Sequence, residues 1–201
     1  VVLDSGEEIR PKLGVISSLP PQTFLPLVPP AWETAGFRSL EALKPCQYIS
    51  VYIWFDRKVT EGKQMWARTY NKNDLNCEFY DFSEIYPGKD SRGQPWKERA
   101  SFVGSNIIDS GRLAALSDEE IVQGTLREMQ ERFPRAMEAK VQHSVVNRIP
   151  MAIHRPVVGT ESLRPDQATK VPGLYLSGCW TRTEFPSSME SAARSGFPAA
   201  D

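Results

Sequence analysis

Polar and apolar positions alternate most regularly from Tyr48 to Phe55, a run rich in Tyr, Val, Ile, Trp and Phe. β-Branched and aromatic side chains suit a pleated, half-buried surface, so the run predicts a strand. Residues 65–70 and 77–82 carry weaker versions of the pattern around the polar turn at 71–74, which predicts an antiparallel sheet. From Asp118 to Phe133 the period lengthens. Apolar Ile121, Val122, Leu126 and Met129 fall at helical spacing, behind a capping box made by Ser117 and Glu120. Pro134 stops that helix, and 141–149 reads as a returning strand. Upstream, 1–10 reads as a hairpin of two half-buried strands around Ser5 and Gly6, and 13–17 as a buried strand. Near the other end, Leu174, Tyr175 and Leu176 form a short apolar run bounded by turn residues, which suits a strand buried on both faces. Gly178 follows, then Ser187 and Glu190 in S-x-x-E spacing, a second predicted capping box and helix start.

Breakers divide the chain between these elements. Pro20, Pro21, Pro26, Pro29 and Pro30 interrupt an apolar stretch containing Phe24, Leu25, Leu27, Val28 and Trp32. Proline lacks an amide donor and resists a continuous helix, so the stretch reads as a crossing loop. Its alternative reading is an apolar lip that dips into a lipid interface. Residues 84–99 form a loop signalled by Pro87, Gly88, Gly93 and Pro95.

Composition narrows the function classes. The chain has 201 residues, 40% of them hydrophobic, enough for one good core or two small ones. A net charge of −1 gives no electrostatic case for nucleic acid or an anionic membrane surface. Cys46, Cys77 and Cys179 are odd in number and widely spaced, with only His143 and His154 beside them, which argues against a disulfide framework and a zinc site. Neither histidine comes with a nucleophile or carboxylate pattern, so both read as structural. No stretch approaches the roughly 20 apolar residues of a spanning helix, and the start lacks the regions of a signal peptide. The missing initiator Met and the mid-hairpin start lead us to expect an internal fragment.

Candidate chemistry gathers near Gly178. Bare backbone there, beside a helix N-terminus with unpaired amides, suits a phosphate, a carboxylate or a ring that becomes anionic on reduction. The stretch around Trp180 with Ser188, Met189 and Glu190 resembles the C-terminal flavin-contacting signature of the carotenoid desaturases. These are the phytoene and zeta-carotene desaturase branch of the FAD-dependent amine oxidase superfamily. Three further segments resemble that family in the same order: 49–59 with Ile53, Trp54, Phe55, Asp56, Arg57 and Lys58; Ser117 to Val122 with Glu131 to Pro134; and Leu163 to Gln167.

The resemblance implies an α/β (α+β) fold, part of a Rossmann-type FAD-binding domain plus a substrate domain with a mostly antiparallel sheet and flanking helices. It assigns 1–18 and 151–201 to the FAD-binding domain and 19–150 to the substrate domain. No G-x-G-x-x-G occurs, so the ADP-binding half is expected upstream, and the chain by itself is expected neither to hold FAD tightly nor to be active. Gly178, Cys179, Ser188, Met189 and Glu190 are the implied cofactor contacts, and Arg57 and Trp180 the implied substrate contacts. Read from residues alone, Arg57 is a surface ion pair with Asp56, and Trp180 a packing residue. Two departures from the family bear on the flavin. Cys179 stands where many members carry an acidic residue, and Ser191 stands where the family has glycine, which narrows a close approach.

The implied reaction is desaturation of a long isoprenoid by hydride transfer to flavin, with electrons passed to a quinone or similar acceptor. It requires no conspicuous acid–base pair, and no catalytic residue or metal is assigned. A membrane-associated location follows, on a plastid membrane or the cytoplasmic face of a bacterial one, without secretion. An amine oxidase, a hydroxysqualene-type dehydroxylase and a non-catalytic remnant binding lipid or protein stay open as alternatives.

Overall fold

A computed structural model describes residues 1–61, 65–67, 69, 71–86, 88, 89, 92 and 99–200. In chain order the strands are β1 (Val15–Ser17), β2 (Pro45–Phe55), β3 (Met65–Ala67), β4 (Glu78–Asp81), β5 (Phe102–Ile107), β6 (Val141–His154) and β7 (Leu174–Leu176). The helices are α1 (Pro21–Phe24), α2 (Phe82–Ile85), α3 (Asp118–Arg132) and α4 (Met189–Ala200). The chain divides into two compact units, one of residues 1–45 with 153–201, the other Cys46–Ala152. The first crossing between these units falls after Pro45, and the proline-rich stretch belongs to the unit that holds both ends of the chain. Most of the loop expected at 84–99, and two positions of the strand expected at 65–70, lie outside the described residues.

The 46–152 unit is built on a five-stranded sheet of order β3-β4-β5-β2-β6. β2 pairs antiparallel with β5, from Ile49 opposite Ile107 to Trp54 opposite Phe102. Strand alternation sends Val51, Ile53 and Phe55 into a core with Val103, Phe79 and, from α3, Ile121, Val122 and Met129. The opposite face carries aromatic rings. Trp54 stacks on Phe102 with centroids 4.2 Å apart, and Phe82 lies 5.1 Å from Phe102. Gly104 makes room for them, since a Cβ there would come within 2.5 Å of the Phe82 ring. α3 starts with the expected box: Ser117 caps the Glu120 amide, and the Glu120 carboxylate takes the Ser117 amide at 2.7 Å. β6 runs further than predicted and tolerates Pro150 because it is an edge strand.

Beneath the sheet, Asp81 is fully buried and accepts from Lys58 Nζ and Ser101 Oγ, each at 2.9 Å, and from Thr60 Oγ1. Burial pushes its carboxyl up, and the hydrogen bonds from Lys58, Ser83 and Thr60 more than offset this, so it titrates below the usual range.

In the other unit β1 and β7 pair in parallel, Val15 opposite Leu174 and Ser17 opposite Leu176. Three residues of β1 are ordered as strand, with Leu13 98% exposed, so the predicted 13–17 strand is shorter and less buried than its apolar letters suggest. The hairpin at the start exists as a single bridge, Val2 to Glu8, and all of 1–10 is exposed rather than half-buried. The proline-punctuated run folds into short helical turns. Phe24, Phe37, Leu40 and Leu43 are buried there with Leu174, Leu176 and Trp180, Phe24 meeting Phe37 edge-on at 5.2 Å. Leu27, 66% exposed, is the large side chain of that run that faces outward. Among the described residues, no helix is long and apolar enough to cross a membrane.

Candidate functional site

β7 ends at Leu176, and the chain turns at Gly178 with φ 142°. A Cβ at this position would lie 2.6 Å from Trp180 Nε1, so the turn accepts only glycine without displacement. The Gly178 amide donates to Ser195 Oγ at 2.7 Å, and Ser177 Oγ sits 2.9 Å from the same oxygen. Ser195 is buried on α4, so the turn is stitched to that helix through a side chain small enough to let the two approach.

The start of α4 differs from the expected capping box. Ser188, not Ser187, is the cap: its Oγ accepts from the Ser191 amide at 3.1 Å. The helix begins at Met189, so the third helical residue is Ser191 and no acid is placed to reach back. Glu190 instead pairs with Arg194 at 2.6 Å. Ser187 Oγ donates to the Cys179 carbonyl at 3.0 Å and lies 2.8 Å from His154 Nδ1. With its one proton committed, Ser187 accepts from Nδ1–H, which fixes the histidine tautomer. Burial lowers the His154 pKa, the Arg164 charge lowers it further, and Glu161 opposes both.

Arg164 organises the interior of the site. It is 1% exposed. Nε donates to the Thr181 carbonyl at 2.8 Å. Nη1 donates to both Glu161 oxygens and to the Phe185 carbonyl, each at 2.9 Å. Nη2 reaches the Cys179 carbonyl at 3.2 Å, Thr183 Oγ1 at 2.9 Å and Ser191 Oγ at 3.2 Å. The Ser191 hydroxyl is therefore consumed inside the fold, 2.6 Å from Thr183 Oγ1, and does not narrow an outer face as the sequence led us to expect. Gln167 adds donors to Thr181 Oγ1 and the Arg182 carbonyl.

The expected cofactor contacts come together as a turn and a helix start: Gly178 and Cys179 on one, Ser188, Met189 and Glu190 on the other. Met189 is 91% exposed, so what this start offers is backbone more than side chain. The amides of Met189 and Glu190 make no hydrogen bond among the described residues, which leaves the positive end of α4 open. Trp180 is 4% exposed and packs in the core of its unit. Its Nε1 is buried without a partner among the described residues. Arg57 belongs to the other unit, where it pairs with Asp56 at 3.1 Å with its side chain 53% exposed. Its hydrogen bond holds the Asp56 carboxyl below the usual range, helped by the Lys140 amide. His143 lies 5.1 Å from the Trp54 ring and takes no part in the turn. Arg164 and Thr183 were missed by sequence reasoning, although Arg164 lies in the Leu163 to Gln167 segment singled out there, while Ser195 fills the close-packing role its size suggests.

A parallel strand pair leading through a glycine turn to a helix, within a chain that also forms an antiparallel sheet unit, places this protein among mixed α/β proteins. The model of the family described as flavin containing amine oxidoreductase matches residues 1–201, and the chain belongs to that family. It is 26% identical over 186 residues to a 15-cis-phytoene desaturase of Synechococcus elongatus, covering 90% of this chain and 37% of that protein. It is 29% identical over 209 residues to the chloroplastic/chromoplastic 15-cis-phytoene desaturase of Capsicum annuum, covering 97% of this chain and 33% of that one. The chain thus spans about a third of the length of these curated relatives. Cyclohexylamine oxidase from Brevibacterium oxydans shares the fold, with a TM-score of 0.57 at 16% identity over 93% of this chain and 41% of that one.

The family implies a flavin, and the groups of this chain suited to face it are the amides of Met189 and Glu190, which make no hydrogen bond among the described residues; the missing Cβ of Gly178 makes room for the Trp180 indole. Cys179 brings no strong acceptor through its thiol, and its carbonyl is already taken by Arg164 and Ser187.

Proposed function

We propose that the intact protein is an FAD-dependent oxidoreductase that desaturates a long isoprenoid, a carotene such as phytoene or zeta-carotene. The observation that carries this reading is the Gly178 turn on the open start of α4, in a chain whose curated relatives over nine-tenths of its length bear the name 15-cis-phytoene desaturase. When bound, FAD would supply the acceptor for a hydride leaving a saturated carbon of the substrate, while a proton leaves the neighbouring carbon to solvent. The Gly178–Cys179 backbone lets the ring approach, and the amides of Ser188, Met189 and Glu190 stabilise negative charge that builds there. Arg57 offers a cation to the substrate side at the end of β2, and Trp180 holds the turn from beneath.

A quinone or similar acceptor takes the electrons onward. The greasy substrate supports a peripheral membrane location, on a plastid membrane or the cytoplasmic face of a bacterial one, and Leu27 is the exposed apolar residue of the stretch suited to meet lipid. The 201-residue piece alone is inactive in this reading, since its sequence carries no G-x-G-x-x-G for the pyrophosphate.

The test uses the complete open reading frame, purified with its flavin and mixed without oxygen with liposomes carrying phytoene or zeta-carotene, while visible absorption is recorded. Bleaching of the flavin bands by the polyene is expected, with flotation of the protein that weakens on Leu27→Glu. Bands that persist with polyene and bleach with a primary amine would move the protein to amine oxidation. Absence of flavin from a folded protein would leave a non-catalytic remnant.

A further inference from the structure

We infer that Arg164 is the positioning residue of the cofactor-facing turn, drawing the carbonyls of Cys179, Thr181 and Phe185 inward and away from the cofactor; this rests on the flavin reading above. The carbonyls of Cys179, Thr181 and Phe185 all converge on one buried guanidinium, within 2.8–3.2 Å. A carbonyl left on the outer side would repel a ring that gains negative charge, and one left buried without a donor would be costly. Arg164 removes both problems at once. The amides of Cys179, Met189 and Glu190 make no hydrogen bond among the described residues.

The geometry calls for arginine and not merely for positive charge. The acceptors come from three places: Glu161, the 179–185 loop with its Thr183 Oγ1, and Ser191 on α4. A planar fork with five N–H donors can meet them, and an ammonium with three cannot. The single opposing carboxylate, Glu161, is itself largely exposed, so most of the cation's partners are dipoles of the turn. The charge is thereby spent on ordering the loop against the first turn of α4. Arg164 touches no reacting atom in this scheme and acts through the turn.

The test is Arg164→Lys in the intact protein, with Glu161→Gln and Ser191→Ala beside it. Two quantities are read: amide hydrogen exchange across 178–191, and the dissociation constant for added FAD, from quenching of flavin fluorescence and visible circular dichroism. Loss of one charge-assisted hydrogen bond predicts FAD binding weakened by about tenfold or more in Arg164→Lys. Exchange across 178–191 should quicken while α3 is unaffected, and Ser191→Ala should give a smaller effect of the same kind. A lower unfolding temperature with exchange across the turn and FAD affinity both unchanged would reduce Arg164 to a stabilising core residue and overturn the inference. Faster exchange with unaltered FAD affinity would overturn it too. If the wild-type protein binds no FAD, the flavin reading fails, while the exchange arm still decides whether Arg164 orders the turn. Should Arg164→Lys not fold, Ser191→Ala decides the same question.

Discussion

Gly178 concentrates the demands of the site in one residue. Its φ of 142° and the 2.6 Å approach that a Cβ would make to Trp180 Nε1 leave no room for a methyl group. Gly178→Ala is expected to destabilise by about 1–3 kcal/mol, the usual cost of forcing a side chain into such backbone. It should also reduce flavin retained after desalting; urea unfolding and visible absorbance measure the two. His154 gives the fold a pH dependence. It is held neutral by burial and by Arg164, so its pKa in the fold lies below the 6.5 of the free side chain. The unfolded chain therefore takes up the proton first. The contribution of this residue is full above about pH 6.5 and is lost as pH falls from there towards the folded value. Wild-type urea midpoints should drop over that range more steeply than those of His154→Gln, and parallel curves would show that folding does not lower the His154 pKa.

Helix starts illustrate how local sequence succeeds and fails. At α3 the box of Ser117 and Glu120 forms as its spacing dictates, because nothing nearby competes for either side chain. Ser117→Ala should cost about 1 kcal/mol, measurable as a lower denaturant midpoint for the intact protein. At α4 the same S-x-x-E spacing misleads by one residue. Ser187 is claimed by His154 and the Cys179 carbonyl, Glu190 by Arg194, and the cap passes to Ser188. No local rule contains that information, since both claimants of Ser187 come from elsewhere in the chain. β2 and α3 were legible for the opposite reason: long periodic runs identify their own buried face. β5 was not predicted, because Gly104, Ser105 and Asn106 dilute its strand signal; the glycine is required by the rings of Phe82 and Tyr52, which lie far away in sequence. The turn and helix start of the candidate site were legible as motifs, whereas Arg164 and its acceptors were not, because six partners meeting on one side chain is a property of the folded chain alone.

At the scale of the whole chain, the two units differ in continuity. Cys46–Ala152 is one uninterrupted stretch with its own sheet, helix and core, whereas its companion is made from both ends of the sequence. The 46–152 segment expressed alone should therefore unfold in a single cooperative step with near-ultraviolet aromatic circular dichroism from the Trp54–Phe102 stack. A broad transition without that signal would mean that its core needs the remainder of the protein. Where the chain passes between units, the Arg155 amide donates to the Lys44 carbonyl at 2.7 Å, so the two crossing segments are already paired. That one contact has a consequence for the order of events in time. Pinning the ends of a loose loop of about 107 residues costs on the order of 4 kcal/mol in chain entropy. If 46–152 folds first as the chain grows, that entropy is lost once, inside a unit stable enough to bear it. Leu174 and Gly178, made after 46–152, then find Val15 and the Phe24–Leu43 cluster already synthesised, so the Gly178 turn assembles only once that unit has formed.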